Sequence, residues 1–431
     1  LYLESVEDGR RFVDTCRRAS RTTPILVIKS GTSQAGAQAA SSHTGALAGS
    51  DLAYETAFRQ CGVIRARSMP ELFDLAVAFA SQPIPRGERV AVITNSGGPG
   101  IVTTDTIERK ELKMARFTRE TVEQLRGFLP AESNIYNPVD VLGDAKSDRY
   151  RFALEKVMAD PGVDSAVVLV CPAGVTEPVE TAQAMIEAKK NHPEKPLLAA
   201  FMGGEKLAEG AKILGEARIP CFTFPEPAVS SISGLVNYAS ARDIPAGEDS
   251  LHFDGIDKKT VKAVFYDTKR DNRLVLLGSE AAEVVAAYGI VAAPTLLASQ
   301  PEEAAEVAKK LGFPVVLKIA SPKIMHKTDV GGVKIGLESG EQVRKGFLEI
   351  MENVQRFMPQ VALYGVEVQK MMPKGTELII GMSRDVQFGP LIAFGLGGIY
   401  VNLLKDVSFR LADGLTAREI ENMLTETKAY T

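Results

Sequence analysis

The sequence predicts a multidomain α/β protein in which parallel sheets are followed by an α+β, mostly antiparallel region. Three observations predict it. The chain has 431 residues, about three domains at roughly 150 residues each. Between residues 90 and 224, short apolar runs alternate with helical stretches, which reads as a parallel sheet with helices on both faces. Past a stretch rich in Pro, Gly and acid, Ile244 to Asp257, strand-like runs are instead separated by polar turns.

Composition narrows the function classes. With 50 Lys and Arg against 54 Asp and Glu, the net charge is -4. That balance excludes a strongly basic nucleic-acid binder and gives no sign of an acidic tail. Hydrophobic residues at 45% and charged residues at 24% are ordinary for a globular protein able to bury sizeable cores. The 4 cysteines are too few for a disulfide framework and form no CxxC or Cys/His cluster, so neither disulfides nor zinc are expected and the reading is cytosolic and reduced. No signal peptide is visible. The run Val386 to Leu404 carries no charge, but its glycines, Pro390 and Asn402 make it buried strands joined by glycine turns rather than a membrane span. The chain opens at Leu1 without Met, in an apolar run, and so reads as part of a longer polypeptide.

The elements follow in order. Leu1–Leu3 reads as the end of a strand, Asp8–Ala19 as a helix, and Ile25–Lys29 as a buried strand between Pro24 and Gly31. Ser30 to Ser50 is almost entirely Gly, Ala, Ser, Thr and Gln, the composition of a long functional or disordered loop. Helices are expected at Ala53–Gln60 and Met69–Ala80, then a linker at Pro83–Pro85. Val90–Thr94 is a strand, followed by a glycine turn and a helix from Ile101 to Glu108. Further strands are expected at Ala166–Val170, Pro196–Phe201 and Pro220–Phe224, with helices at Val179–Lys189 and Lys206–Ala217. In the last region, helices at Ala281–Tyr288 and Glu302–Leu311 accompany strands at Pro314–Ile319, Gly332–Ile335, Val366–Gln369 and Glu377–Met382, with Asp385 in a turn. There is no internal repeat.

Several groups carry possible chemistry. Of the 4 histidines, His192 and His252 lie in polar, turn-like contexts and read as surface residues. His43 sits in a small-residue loop, where a neutral imidazole with a pKa of about 6.5 is a competent nucleophile and equally a solvated side chain. Asn95 to Gly100 follows a strand and opens a helix, so its N–H groups can converge on a phosphate, or simply make a tight βα turn. No Lys-Ser/Thr follows, so it is not a Walker A loop. Lys318, on a strand beside the Gly331-Gly332 turn, suits a nucleotide-phosphate clamp as well as an ordinary hairpin. Gln369, Met371 and Glu377 flank the Pro373-Lys374-Gly375 turn, which suits either an adenine-ribose hinge or a plain strand–turn–strand.

Taken together, SSHTGALAGSD, NSGGPG, NPVD at Asn137–Asp140, MHKTDVGGV and the run from GTELIIGM to KDVSFRLA resemble the NDP-forming acyl-CoA synthetases. ADP-forming acetyl-CoA synthetase is the best-known member and succinyl-CoA synthetase a relative. The similarity covers essentially the whole chain, in the family's order. It implies two flavodoxin-like, succinyl-CoA-synthetase-like parallel-sheet domains, residues 1–85 and 86–243, and an ATP-grasp domain at 258–431 that is truncated at its C-terminal end. It implies His43 as the phosphohistidine, Glu4 as the carboxylate that holds it, and His326 as a relaying second histidine. Ser96, Gly97, Gly98 and Gly100 would receive the phosphoryl group at a helix N-terminus. Lys318, Gly331 and Gly332 would meet nucleotide phosphates, with Gln369, Met371 and Glu377 around adenine and ribose, and Asn137 and Asp140 at the acyl substrate. The implied cofactors are ATP/ADP, Mg²⁺ and coenzyme A. The implied partners are a small carboxylic acid, CoA and ATP in a homo-oligomer, with no nucleic acid and no membrane.

The implied reaction makes an acyl phosphate from acid and phosphohistidine, then lets CoA displace phosphate, with ATP recharging the histidine. In this pattern a CoA-binding Rossmann domain precedes Leu1 and the Mg²⁺-holding Asn and Asp follow Thr431, so the chain reads as incomplete for turnover. The alternative is a nucleotide- or CoA-sensing module fused to a lysine acetyltransferase. Such modules tend to lose the phosphorylatable histidine, which is intact here.

Overall fold

The computed structural model describes residues 1–33, 35–36, 50–242, 253–324, 326–398, 406–428 and 430. These residues form two compact units. One comprises Leu1–Ser250 with Leu378–Thr431, and the other Leu251–Glu377.

The first unit starts with β1 (Tyr2–Leu3), α1 (Gly9–Ala19), β2 (Ile25–Lys29), α2 (Asp51–Cys61), β3 (Val63–Ala66) and α3 (Met69–Ser81). The helix starts are written in the sequence, because Asp8, Ser50 and Ser68 each turn a side-chain oxygen to a first-turn N–H. The three strands pair in parallel in the order β1-β2-β3. Val13, Cys16, Val27, Tyr54, Phe58 and Cys61 are buried between strands and helices.

The second sheet contains β4 (Arg89–Thr94), β5 (Lys113–Met114), β6 (Val139–Asp140), β7 (Ser165–Val170), β8 (Leu197–Phe201) and β9 (Cys221–Phe222). All pairs are parallel, in the order β5-β4-β7-β8-β9, with β6 beside the end of β4. The crossovers carry α4 (Gly97–Arg109), α5 (Arg119–Phe128), α6 (Ser147–Ala159), α7 (Pro178–Asn191) and α8 (Ala208–Glu216), and α9 (Pro225–Arg242) follows β9. Alternation splits β4 between two cores. Ala91 and Ile93 face one, Val90 and Val92 the other. Burial on both faces is what makes such strands continuously apolar and legible.

In the second unit, α10 (Lys258–Arg270), α11 (Gly278–Ala287), β10 (Thr295–Ala298), α12 (Pro301–Leu311), β11 (Val315–Ala320), β12 (Val333–Leu337), α13 (Gly340–Phe357) and β13 (Gly365–Lys370) form one antiparallel sheet with helices. Its strand order is β10-β13-β11-β12. Ala304 and Ala308 of α12 and Val343, Phe347, Ile350 and Val354 of α13 pack on Val315, Leu317, Ile319, Val366 and Val368.

The chain then adds β14 (Leu378–Asp385), β15 (Gly389–Leu396), β16 (Val407–Leu411) and α14 (Ala417–Thr425) to the first unit. The three strands are antiparallel. The sequence places residues 258–431 in one domain. The grouping of Leu378–Thr431 with the first unit has a physical reason: Phe388, Leu391 and Leu411 join the core made by Val13, Tyr54 and Phe58.

Some expectations need correction. α4 begins at Gly97, not Ile101, so the glycines form the helix's first turn rather than a loop before it. β9 keeps only two residues of Pro220–Phe224, because Pro225 already opens α9. Asp385 ends a strand instead of sitting in a turn. His192 is half-buried behind α7, with 23% of its side chain exposed. His43 and His252 lie outside the described residues. Among the described residues, no helix is long and apolar enough to cross a membrane.

The join of β4 to β7 is pinned by Asp164, 6% exposed in its side chain. It accepts from the Arg89 backbone N–H (3.0 Å), Nε (2.8 Å) and Nη2 (2.8 Å). Burial alone would raise its pKa, but the Arg89 hydrogen bonds hold it below the ordinary 3.8. Asp164→Ala is expected to cost about 1–3 kcal/mol in urea unfolding at pH 7. A depressed carboxylate pKa stabilises above the unfolded value and stops doing so as pH falls through the folded value. The gap between wild type and variant should therefore narrow below pH 3.8.

Candidate active site

Three clusters hold the described residues singled out in the sequence. The first lies on one face of the β10–β13 sheet. Because β-strand side chains alternate, the valines of β11 and β13 that fill the core force Lys318, Glu367 and Gln369 to the opposite face. Lys318 and Glu367 are cross-strand partners, and Gln369 stands opposite Thr295. Lys318 Nζ donates to Gln369 Oε1 at 2.6 Å, and Gln369 Nε2 donates to Thr295 Oγ1 at 2.9 Å. Burial, then the charge of Lys327, holds the Lys318 ammonium below its ordinary pKa of 10.5.

Glu367 is 1% exposed. Its Oε1 accepts the Ser279 N–H in the first turn of α11 at 2.7 Å, and its Oε2 lies 3.6 Å from Lys327 Nζ. A Cβ at position 278 would lie 2.6 Å from that carboxylate, so glycine is required there. Lys327 belongs to the turn after the exposed His326. That turn is closed by Gly332 N–H to the Lys327 carbonyl (2.8 Å) and Gly331 N–H to the Thr328 carbonyl (3.0 Å). Gly331 has φ +66°. At Gly332 a Cβ would meet Ile319 Cγ2 at 2.6 Å, so only glycine lets the turn lie against β11. Met371 is half-buried, its N–H bound to the Pro314 carbonyl at 3.1 Å, and Glu377 is exposed.

The second cluster is the carboxyl end of the parallel sheet, where such sheets bind ligands. Ser96 is the N-cap of α4 but makes no side-chain cap bond. Its backbone is held instead by Thr94 Oγ1, which accepts the Ser96 N–H at 3.0 Å and donates to the Ser96 carbonyl at 2.8 Å. The N–H groups of Gly97 and Gly98 thus stand at an uncapped, positive helix end. Space beside Gly98 is open to 4 Å. Asp140 stands alongside, its Oδ1 accepting the Leu142 N–H at 2.9 Å and its Oδ2 3.8 Å from a Cβ placed on Gly97.

Asn137 is bonded to backbone. Its Oδ1 accepts the Val92 N–H at 2.9 Å, and its Nδ2 donates to the carbonyls of Val90 and Ala115 at 2.8 and 3.0 Å. With its polar atoms spent on the backbone around β4, it holds the sheet edge and has no donor left for a substrate.

The third cluster lies around Glu4 and Lys29. Half-buried Glu4 accepts from Tyr2 Oη at 3.4 Å. Lys29, at the end of β2, lies 4.6 Å from the centre of the Tyr54 ring and donates to the Ser30 carbonyl. Burial lowers its pKa, partly offset by Asp51 and, more weakly, Glu4.

Among the described residues, no group of three or more His, Cys, Asp or Glu side chains could hold a metal ion. Glu367, the buried carboxylate nearest the lysines, is committed to Ser279 and Lys327. A Mg²⁺ ion carried on nucleotide phosphates needs only one or two protein carboxylates, so it requires no such group. Sequence reasoning missed Glu367, Lys327 and Thr295. The signal was present in Val366-Glu367-Val368-Gln369, where strict alternation puts Glu367 beside Gln369.

Comparison with known proteins gives the lineage. Residues 1–79 match the succinyl-CoA ligase like flavodoxin domain, residues 90–245 the Ligase-CoA domain and residues 267–431 the ATP-grasp domain. The β subunit of the ADP-forming acetate–CoA ligase I of Pyrococcus furiosus is 44% identical over 169 residues, covering 39% of this chain and 72% of that subunit. The chain belongs to the NDP-forming acyl-CoA synthetase family. The ADP-forming acetate–CoA ligase I of Archaeoglobus fulgidus is 42% identical over 430 residues, 100% of this chain and 61% of that protein. The chain thus spans about three-fifths of that relative's length. A solved structure of the dinucleotide-forming acetyl-coenzyme A synthetase 1 of Ca. Korarchaeum cryptofilum, in complex with phosphate and ADP, is similar at a TM-score of 0.54 and 38% identity. That match covers 56% of this chain and 53% of that one.

The two glycine sites should respond unequally to one added methyl. Gly332→Ala is expected to cost about 1–3 kcal/mol through overpacking. Gly98→Ala should leave stability within about 1 kcal/mol, since no atom meets its Cβ. Urea unfolding of the two variants checks both.

Proposed function

We propose that the protein carrying this chain is an ADP-forming acid–CoA ligase, interconverting acyl-CoA, ADP and phosphate with acid, CoA and ATP. His43 is its phosphoryl carrier. A carboxylate oxygen of the acid attacks the phosphorus of phosphohistidine, giving an acyl phosphate and free imidazole. The CoA thiolate then attacks the acyl carbon and phosphate leaves. ATP returns the phosphoryl group to the imidazole and ADP departs.

The observation that supports this reading most strongly is that 42% identity to an ADP-forming acetate–CoA ligase runs through 430 residues, across all three matched segments. The clusters suit the division of labour. Lys318 and Lys327 supply cations for nucleotide phosphates, with Gly331 and Gly332 giving the close-lying turn beside them, and Gln369 can meet the base once it exchanges its bond with Lys318. Met371 and Glu377 follow on the same strand exit as candidates for base and ribose. The uncapped first turn of α4, with Ser96, Gly97, Gly98 and Gly100, suits a phosphoryl group arriving on a histidine. Asp140 is the remaining candidate beside the acid. Glu4 is the candidate orienter of His43, a carboxylate on one ring nitrogen leaving the other free to attack. His326, exposed at the nucleotide turn, is the candidate relay. A soluble homo-oligomer acting on a small carboxylic acid in the cytoplasm completes the proposal.

Mg-ATP without CoA should leave an acid-labile phosphoryl adduct on His43, read by intact mass and peptide mapping, and His43→Ala should abolish it. Nucleotide binding with no adduct on His43 or His326 would contradict the ligase and favour a nucleotide-sensing module.

A further inference from the structure

The turn joining β14 to β15 lies in the segment matched as ATP-grasp, yet it is seated on residues matched as the flavodoxin-like domain. Asp385 organises it. Its Oδ1 accepts the N–H groups of Gln387 and Phe388 at 2.9 and 3.0 Å. Its Oδ2 accepts the Ser50 N–H at 3.0 Å. Ser50 is the N-cap of α2, seven residues after His43 in the sequence.

The seat around this contact is built. Tyr54 Oη donates to Gln387 Oε1 at 2.7 Å and accepts the Val6 N–H at 2.9 Å. The Phe388 ring packs edge-on against Tyr54 with centroids 4.9 Å apart. The Gly9 N–H donates to the Gln387 carbonyl at 3.2 Å, and a Cβ at position 9 would lie 2.4 Å from that oxygen. Lys29, at the end of β2, lies 4.6 Å from the centre of the Tyr54 ring. The Ser50 N–H is therefore held by a carboxylate from a distant part of the sequence, within a turn whose next residues, Gln387 and Phe388, are seated on Tyr54.

We infer that Asp385 is a positioning residue for phosphoryl transfer: its carboxylate fixes the C-terminal root of the His43 segment through the Ser50 N–H. The inference rests on the phosphohistidine reading above. It assigns Asp385 no contact with substrate. The root matters because an in-line transfer is sensitive to placement of the nucleophile, and a misplacement of about 1 Å can cost about a hundredfold in rate.

Asp385→Asn isolates the contact. The amide oxygen can still accept from Gln387 and Phe388, while the NH₂ group now faces the Ser50 N–H and cannot accept from it. Glu426→Gln serves as the packing control. It disturbs the bonds of Glu426 to Ser408 (2.9 Å), Arg410 (2.7 Å) and Arg59 of α2, and touches neither Ser50 nor Asp385. In the full protein carrying this chain, the rate of His43 phosphorylation by saturating Mg-ATP and the Kd for Mg-ADP are measured for all three. The expected result is a loss of about tenfold in phosphorylation rate for Asp385→Asn, the size of one hydrogen bond to a charged group. Its Kd should stay within about twofold of wild type, and Glu426→Gln should be phosphorylated at the wild-type rate. Undiminished phosphorylation of Asp385→Asn overturns the inference, as does an equal loss in Glu426→Gln. If wild type takes no phosphate on His43, the ligase reading itself fails and the inference falls with it.

Discussion

A sheet that buries one face in aliphatic side chains must display its chemistry on the other, and residues 295–370 are organised by that constraint. Val315, Leu317, Ile319, Val366 and Val368 are fully buried under α12 and α13. The residues between them, Lys318, Glu367 and Gln369, have no choice of side. A one-residue slip would put two lysine-partnered groups into the apolar core, at a cost of several kcal/mol each. The register that fills the core is thus the register that assembles the polar face. Glu367 then converts that face into a scaffold by holding the start of α11 and the turn that follows His326.

The parallel sheet obeys a related logic with a different result. Its strands are buried on both faces, so neither face can carry chemistry and polar groups collect at the carboxyl ends. There Thr94 replaces Ser96's missing side-chain cap by gripping Ser96's backbone, which leaves the first turn of α4 formed but its N–H groups available. Asn137 fixes the sheet edge beside it. Rigid backbone below and unspent donors above are what a preorganised anion site requires.

The legibility of this chain in its sequence follows from burial. Doubly buried strands such as Val90–Thr94 and Ala166–Val170 stood out within one residue of their true ends, because nothing polar interrupts them. α9 and α13, each of 18 residues, were not anticipated, since their apolar residues are mixed with Ser, Gly and charge. The glycines at 97, 98 and 100 argued for a loop on propensity, and the helix that forms there is set by packing of its later turns, with Thr103, Thr106 and Ile107 buried. Lys318 and Gln369 were readable as candidates from motif and spacing. The backbone bonds of Asn137 were not legible, because a motif does not reveal whether an amide is already used by backbone 45 residues away. Asp385 and Glu367 were invisible in role, since their partners, Ser50 and Ser279, are 335 and 88 residues distant.

The central claim is that the polar face around Lys318 receives phosphate. Burial and Lys327 hold the Lys318 ammonium below its ordinary pKa, and an anion bound against it would raise that pKa again. Nucleotide binding should therefore take up protons in alkaline solution. The direct measurement is calorimetric titration of ADP from about pH 8 to about pH 10, in buffers of different ionisation enthalpy, on wild type and Lys318→Met. The account predicts proton uptake that grows with pH in the wild type, and weaker binding without that uptake in the variant. Equal affinity and equal proton uptake in the two proteins would contradict it.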